Sequence, residues 1–155
     1  MCTAGLYLLA AASAALVAAE PPGFVVWSAG ELKSYSKTLA QKLSPQKVAT
    51  QQLGQFGNHS AMIAHREGDG EAEVHEGMVD VFVVQTGSAT LVVGGEVVGG
   101  RSTGPGEIRG TSIQGGARRE LGPGDVVHIP NNTPHQLLVK PGEKFTYMIV
   151  KVNVH

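Results

Sequence analysis

Residues 123–136 read "PGDVVHIPNNTPHQ", and the fold follows from how this stretch is read. An apolar run, Val126-Val127-His128-Ile129, ends at Pro130, and a short polar turn leads through Pro134 into His135. Each proline fixes its own φ and restricts the residue before it, so the backbone around His135 is stiff. A stiff turn that ends in an imidazole suits a metal ligand, whose donor atom must be held in a preset direction.

Working outward, the chain on both sides breaks into short apolar segments separated by glycine. "HSAMIAHRE" (59–67) alternates as a strand and "GDGE" turns it. "EAEVH" (71–75) and "VDVFVVQTG" (79–87) follow, then "SATLVVGGEVVGG" (88–100), in which Gly94-Gly95 predicts a hairpin. "GGRSTGPGE" (99–107) reads as a flexible loop. "IRGTSI", "RRELGPGDVVHIP", "HQLLVK" and "KFTYMIVKVNV" complete the series. Strand signals recurring every 8–12 residues or so predict an all-β sandwich or barrel. Ahead of them, "WSAGELKSYSKTLAQKLSP" (27–45) carries a capping box, Ser28 and Glu31, and apolar positions at Leu32, Leu39 and Leu43. One helix over about 29–43 is expected, stopped by Pro45; it carries no chemistry.

The chain has 155 residues, 42% apolar and 16% charged, with 21 glycines and 8 prolines. That composition fits one globular, turn-rich domain. Twelve basic against 13 acidic residues give no electrostatic case for nucleic acid or an anionic membrane. No Asp, Glu, Lys or Arg precedes Glu20, and the small residues of Val17-Ala18-Ala19 suit cleavage before it. The expectation is therefore a signal peptide at 1–19, an arm and helix at 20–47 and a β domain at 48–155, in an exported protein, periplasmic or extracellular, with no membrane contact after cleavage. An uncleaved N-terminal anchor is the competing reading. Cys2, the only cysteine, would leave with the peptide. Metal in the mature chain would then rest on His, Asp and Glu.

Those residue types crowd at 70–87, "GEAEVHEGMVDVFVVQTG". Side chains two apart on a strand share a face, so Glu73 and His75 project together. Asp80 has the opposite parity, but Gly77 permits a bend that returns it to the same interior. His128 suits a proton-moving base if it faces the cavity, and a packed sheet histidine if it does not. His65 is a weaker candidate; His59 and His155 read as loop or tail. Arg118 and Arg119 read as surface charges or as a carboxylate clamp.

Gly124, Pro130 and His135 have the spacing of the second motif of the cupin superfamily, which this stretch resembles. Asn132 stands where that motif usually has glycine, and Val139 where it has asparagine. Residues 73–87 resemble the first motif: His75 matches its second histidine, Asp80 replaces its glutamate, Gly87 closes it, and Glu73 replaces the first histidine. The resemblance covers about residues 55–152. It implies a cupin-type double-stranded β-helix, a jelly-roll barrel, with a divalent metal held by His75, His135, Asp80 and Glu73, and a homodimer. Two imidazoles with two carboxylates neutralise a divalent ion and favour Fe²⁺ or Mn²⁺ over Cu²⁺, with Zn²⁺ or Ni²⁺ also compatible. Should Asp80 fall short, Glu73, His75 and His135 still make the two-histidine, one-carboxylate set of non-haem Fe(II) oxygenases.

Two functions stand open at this level. One is a metal-dependent enzyme acting on a small organic molecule by dioxygenase-, isomerase- or lyase-type chemistry, with His128 or Glu73 moving protons. The other is a non-catalytic barrel binding a small ligand or a metal. Val81–Val84 with Val126 and Val127 predict an apolar cavity wall suited to a small organic acid, phenol or sugar derivative.

Overall fold

The computed structural model describes residues 19–154; the expected signal peptide at 1–19 lies outside them but for Ala19, and so does His155. After an arm, helix α1 spans Ala29–Ala40. Ser28 caps it by accepting a hydrogen bond from the Glu31 amide at 3.2 Å, which satisfies one of the helix's open donors. The helix ends earlier than the predicted 43, at a Gln41 cap whose amide donates to Leu39. Twelve residues make too short a helix to stand alone. Its stability comes from Leu32 and Leu39, two turns apart on one face, buried against Ala61, Ile63 and Met148. Each such leucine contributes about 1.5–3 kcal/mol.

Among the described residues thirteen strands follow: β1 (Val48–Phe56), β2 (His59–Arg66), β3 (Ala72–His75), β4 (Met78–Gly87), β5 (Ala89–Val93), β6 (Glu96–Val98), β7 (Arg101–Gly104), β8 (Glu107–Gly110), β9 (Ser112–Gln114), β10 (Ala117–Leu121), β11 (Val126–Ile129), β12 (His135–Leu138) and β13 (Phe145–Asn153). A five-stranded sheet runs β1-β2-β13-β4-β11 and a six-stranded sheet runs β10-β5-β12-β3-β8-β7, with β6 and β9 as a separate pair. All pairings are antiparallel. The described residues are therefore all-β apart from α1, two sheets rolled face to face as a jelly roll.

The main core lies between the sheets. β13 turns Phe145, Tyr147 and Ile149 inward against Phe82, Val84, Leu91 and Leu137, while Met148 and Val150 face α1. The five-stranded sheet is thus covered on both faces, and β13 reads as a continuous apolar run for that reason.

Two local expectations are corrected. Residues 99–107 are largely strand, with β7 paired to β8 at a sheet edge; the glycines there hid the pairing. Gly94-Gly95 does not join a hairpin either. β5 pairs with β10 and β12, and β6 pairs with β9, so the chain leaves the sheet after Val93. A diglycine announces a turn but not the partner of the strand that follows. Gly95, at φ +76°, passes so close to β9 that a Cβ would collide with the Gln114 carbonyl oxygen.

Candidate metal centre

The site forms where β3, β12, β4 and β13 meet, and strand register assembles it. His135 is the cross-strand partner of Glu73. Glu73 and His75 face Arg109 and Glu107 on β8, and Asp80 faces Lys151 on β13. β3 and β4 belong to different sheets, so the bend at Glu76-Gly77 carries the chain across the barrel wall and turns Asp80 inward. That bend is tied to the loop ahead of His135: the Asn132 amide donates to the His75 carbonyl at 2.8 Å, and the Asn131 side chain donates to the Glu76 carbonyl at 3.0 Å. Asn132 sits at φ +57°, the left-handed region where asparagine is among the few non-glycine residues tolerated. Gly87, at φ +77°, has no room for a side chain, since a Cβ would run into the Lys144 carbonyl group.

Donor atoms of Glu73, His75 and His135 lie within 4.8 Å of one another. His75 and His135 are buried, and their rings pack 5.2 Å apart. The Nδ1 of His135 donates to the Thr133 carbonyl at 3.0 Å, which fixes the tautomer and leaves a lone pair on Nε2. That Nε2 is buried and has no hydrogen-bond partner among the described residues. Such an atom costs about 1–3 kcal/mol unless something fills its lone pair. The Nδ1 of His75 donates to Glu107, at 2.7 and 2.9 Å from its two oxygens, so its Nε2 also points to the centre. A carboxylate behind an imidazole is the usual support for a metal-ligating histidine. These residues fit a divalent cation: Glu73, His75 and His135 could hold one.

Asp80 comes close to both rings, its Oδ2 3.4 Å from His75 Nε2 and 3.6 Å from His135 Nε2. It is engaged elsewhere, however. Lys151 Nζ lies 2.8 and 3.1 Å from the two Asp80 oxygens and 2.9 Å from His75 Nε2. Only one proton fits between two nitrogens at 2.9 Å, so imidazolium and ammonium do not both keep a proton on that line. Glu73 is the other hub. Arg109 pairs with it directly, Arg66 stands 3.9 Å away, and Arg66 also donates to the Tyr147 hydroxyl at 3.1 Å.

The charges hold one another in place. Burial works to raise the Glu73 pKa, but His75, Arg109, His135 and Arg66 outweigh it and lower it to about 2. Burial likewise opposes ionisation of Asp80, and the two imidazoles with Lys151 push its pKa well below the ordinary carboxylate range. Burial works to lower the His75 pKa, whereas Asp80 and Glu73 prevail and raise it to about 9 against the opposing Lys151. Burial raises the Tyr147 phenol.

Several expected residues lie elsewhere. His128 is exposed on β11; Val127 and Ile129 of that strand face the core, so His128, between them, takes the outer side and does not join the cluster. Val126 is exposed for the same reason. Of the predicted apolar wall, Phe82 and Val84 belong to the barrel core, with Val127 packed against it, whereas Val83 packs on the α1 side. Arg118 and Arg119 lie exposed on β10; the arginines at the site are Arg66 and Arg109. His65 is buried but bonded to Thr146 at 2.8 Å. Lys151, Glu107, Arg66 and Tyr147 escaped the sequence reading, although the inward series Phe145, Tyr147, Ile149 extends by strand parity to Lys151.

No family model matches the chain, and no curated protein matches it. Solved structures do. It resembles a cupin-like protein from Thermotoga maritima (20% identity over 70% of this chain and 70% of that one, TM-score 0.51). It resembles the TT1209 protein of Thermus thermophilus (20% identity, 76% and 92% covered, TM-score 0.54). The DMSP lyase DddQ of Ruegeria pomeroyi matches at 17% identity and a TM-score of 0.50, over 68% of this chain and 47% of that one. The chain thus spans about half the length of that lyase. Likeness at such identities concerns architecture: the protein has the fold of the cupin superfamily.

Proposed function

We propose that the protein is a metal-dependent cupin acting on a small organic molecule at the Glu73, His75 and His135 centre. The observation that carries this reading is His135 Nε2, a buried lone pair without a partner among the described residues, aimed at the donors of Glu73 and His75. A divalent metal bound there would supply a Lewis acid or, as Fe²⁺, an oxygen-binding centre; the mixed nitrogen and oxygen donors suit Fe²⁺ or Mn²⁺.

The chain's own residues define the rest. A cavity of about 240 Å³, lined among others by Arg66, Phe82, Tyr147 and Ile149, opens beside the centre. A second of about 510 Å³ adjoins it, with Arg66, Arg109 and Gln136 on its wall. Together they suit a small organic acid or phenol, whose charge or hydroxyl Arg66 and Arg109 would orient. A carboxylate held at a pKa of about 2 stays ionised, which suits Glu73 to ligation rather than to moving protons. Tyr147, neutral and accepting a hydrogen bond from Arg66, is a proton donor on the cavity wall, as is the Lys151 ammonium. The DMSP lyase among the structural matches is in keeping with lyase-type chemistry. Export of the chain and pairing of two copies through the arm, where Phe24, Val25 and Val26 are exposed, belong to the same reading.

A non-catalytic ligand-binding barrel is the second reading, favoured by Lys151, which fills the space between His75 and Asp80. Elemental analysis of protein purified without added metal, followed by oxygen uptake and product formation with a panel of small carboxylates and phenols, separates the two. The enzyme reading expects about one transition metal per chain and metal-dependent turnover. Metal-free protein that binds a panel member and returns it unchanged would overturn it in favour of the second.

A further inference from the structure

We infer that Lys151 is the resident cation of this centre, and that its ammonium decides whether His75 and Asp80 are open to a metal. The inference rests on the metal-site reading above. Lys151 Nζ lies 2.9 Å from His75 Nε2 and 2.8 Å from Asp80 Oδ1. A metal ion would need to stand about 2.0–2.2 Å from the same kinds of atom, so ammonium and metal cannot share the space.

The arrangement of donors bears the mark of this competition. Glu73, His75 and His135 converge within 4.8 Å. Asp80 Oδ2 lies as near the two Nε2 atoms, at 3.4 and 3.6 Å, as Glu73 Oε2 does, at 3.4 and 3.8 Å, yet Asp80 is not free to turn to a metal. Both its oxygens are instead within hydrogen-bond distance of Nζ. With Lys151 inward, His75 Nε2 and both Asp80 oxygens are taken by the ammonium, leaving Glu73 and His135; with Lys151 withdrawn, His75 and Asp80 join them as donors.

Withdrawal has a route. The Lys151 side chain is 21% exposed and borders the cavity of about 240 Å³ together with Val48 and Thr50. Its four-carbon stem can carry the ammonium outward along that wall. The chain loses Asp80's counter-charge only when an incoming cation replaces it. Asp80 is 2% exposed, and a buried carboxylate is not left unpaired. Loading of the centre is therefore an exchange of one cation for another, which disfavours weakly held ions and any loading that leaves Asp80 without a partner.

The test measures Mn²⁺ affinity of the full chain by calorimetry, at fixed pH and ionic strength, for the wild type, Lys151→Met, Asp80→Asn and the double variant. Lys151→Met is expected to bind Mn²⁺ at least about tenfold tighter, since neither displacement of the ammonium nor its repulsion remains. Asp80→Asn is expected to weaken binding by about tenfold or more in the Lys151→Met background and by less than about threefold in the wild type. Lys151→Gln, whose amide still donates to Asp80, covers the case in which Lys151→Met does not fold; it too is expected to bind tighter than wild type. Equal, tight Mn²⁺ binding in wild type and both Lys151 variants would overturn this inference and leave the metal centre standing. No Mn²⁺ binding in any folded variant would overturn both.

Discussion

Replacing His135 by alanine tests the centre at the atom on which the functional reading depends. In the wild type, Nε2 is buried without a partner among the described residues, and a bound metal would fill that lone pair. Free metal at 100 times its dissociation constant stabilises the folded chain by about 2.7 kcal/mol. For a chain of this size each kcal/mol moves Tm by roughly 2–4 °C, so the expected rise is about 5–10 °C. Loss of a directly coordinating imidazole should weaken binding at least about 100-fold, since loss of a mere supporting partner already costs about 10–100-fold. At the same metal concentration the variant then gains only about 0.4 kcal/mol, a shift of about 1 °C. The metal-free variant loses packing against Phe82 and His75 and the bond to Thr133, but it also sheds the unpaired Nε2. These opposing terms, each about 1–3 kcal/mol, leave its stability within about 2 kcal/mol of wild type. Calorimetric scans with and without Mn²⁺, alongside metal content after dialysis, read both quantities. A metal-induced rise of the same size in His135→Ala, with full metal content, would refute the assignment.

Two further outcomes follow from the same geometry. Binding must displace the one proton that His75 and Lys151 share on their 2.9 Å line, where the acids raise the His75 pKa from 6.5 to about 9; affinity should therefore rise by up to about tenfold per pH unit up to 9, and calorimetry in buffers of different ionisation heat should show proton release. In the metal-free chain that raised pKa contributes stability below pH 6.5 that is lost as pH climbs through 9. Glu73, lowered from 4.5 to about 2, contributes stability above pH 4.5 that is lost as pH falls through 2. Melting curves that stay flat across both windows would contradict these linkages. Glu107→Gln keeps the size of the group that holds His75 Nδ1 at 2.7 Å but removes its charge; metal affinity should drop about 10–100-fold while circular dichroism stays unchanged. Undiminished affinity would show that Glu107 does not orient the ring.

Much of the centre was legible because its cues are local. Gly124, Pro130, Pro134 and His135 shape one turn, and Glu73 and His75 share a face by simple alternation. Gly77 marked the bend that returns Asp80 inward. His128 misled because Val126-Val127-His128-Ile129 reads as one apolar run, whereas β11 lies at a sheet edge and only Val127 and Ile129 reach the core. Arg118 and Arg119 were conspicuous as a pair, yet β10 is an edge strand with both exposed. Arg66 and Arg109 stand far apart in the chain and gave no local signal before Glu73 brought them together.

The amino-acid sequence by itself determined the β class, the stiff turn that presents His135 and the pairing of Glu73 with His75, since turn chemistry and two-residue alternation act between near neighbours. Tertiary structure alone decided that Lys151 meets Asp80 across 71 residues of chain and that Glu107 supports His75. Those contacts depend on which strands lie side by side and in what register, and that choice is made by burying the faces of both sheets together, over distances that no local pattern encodes.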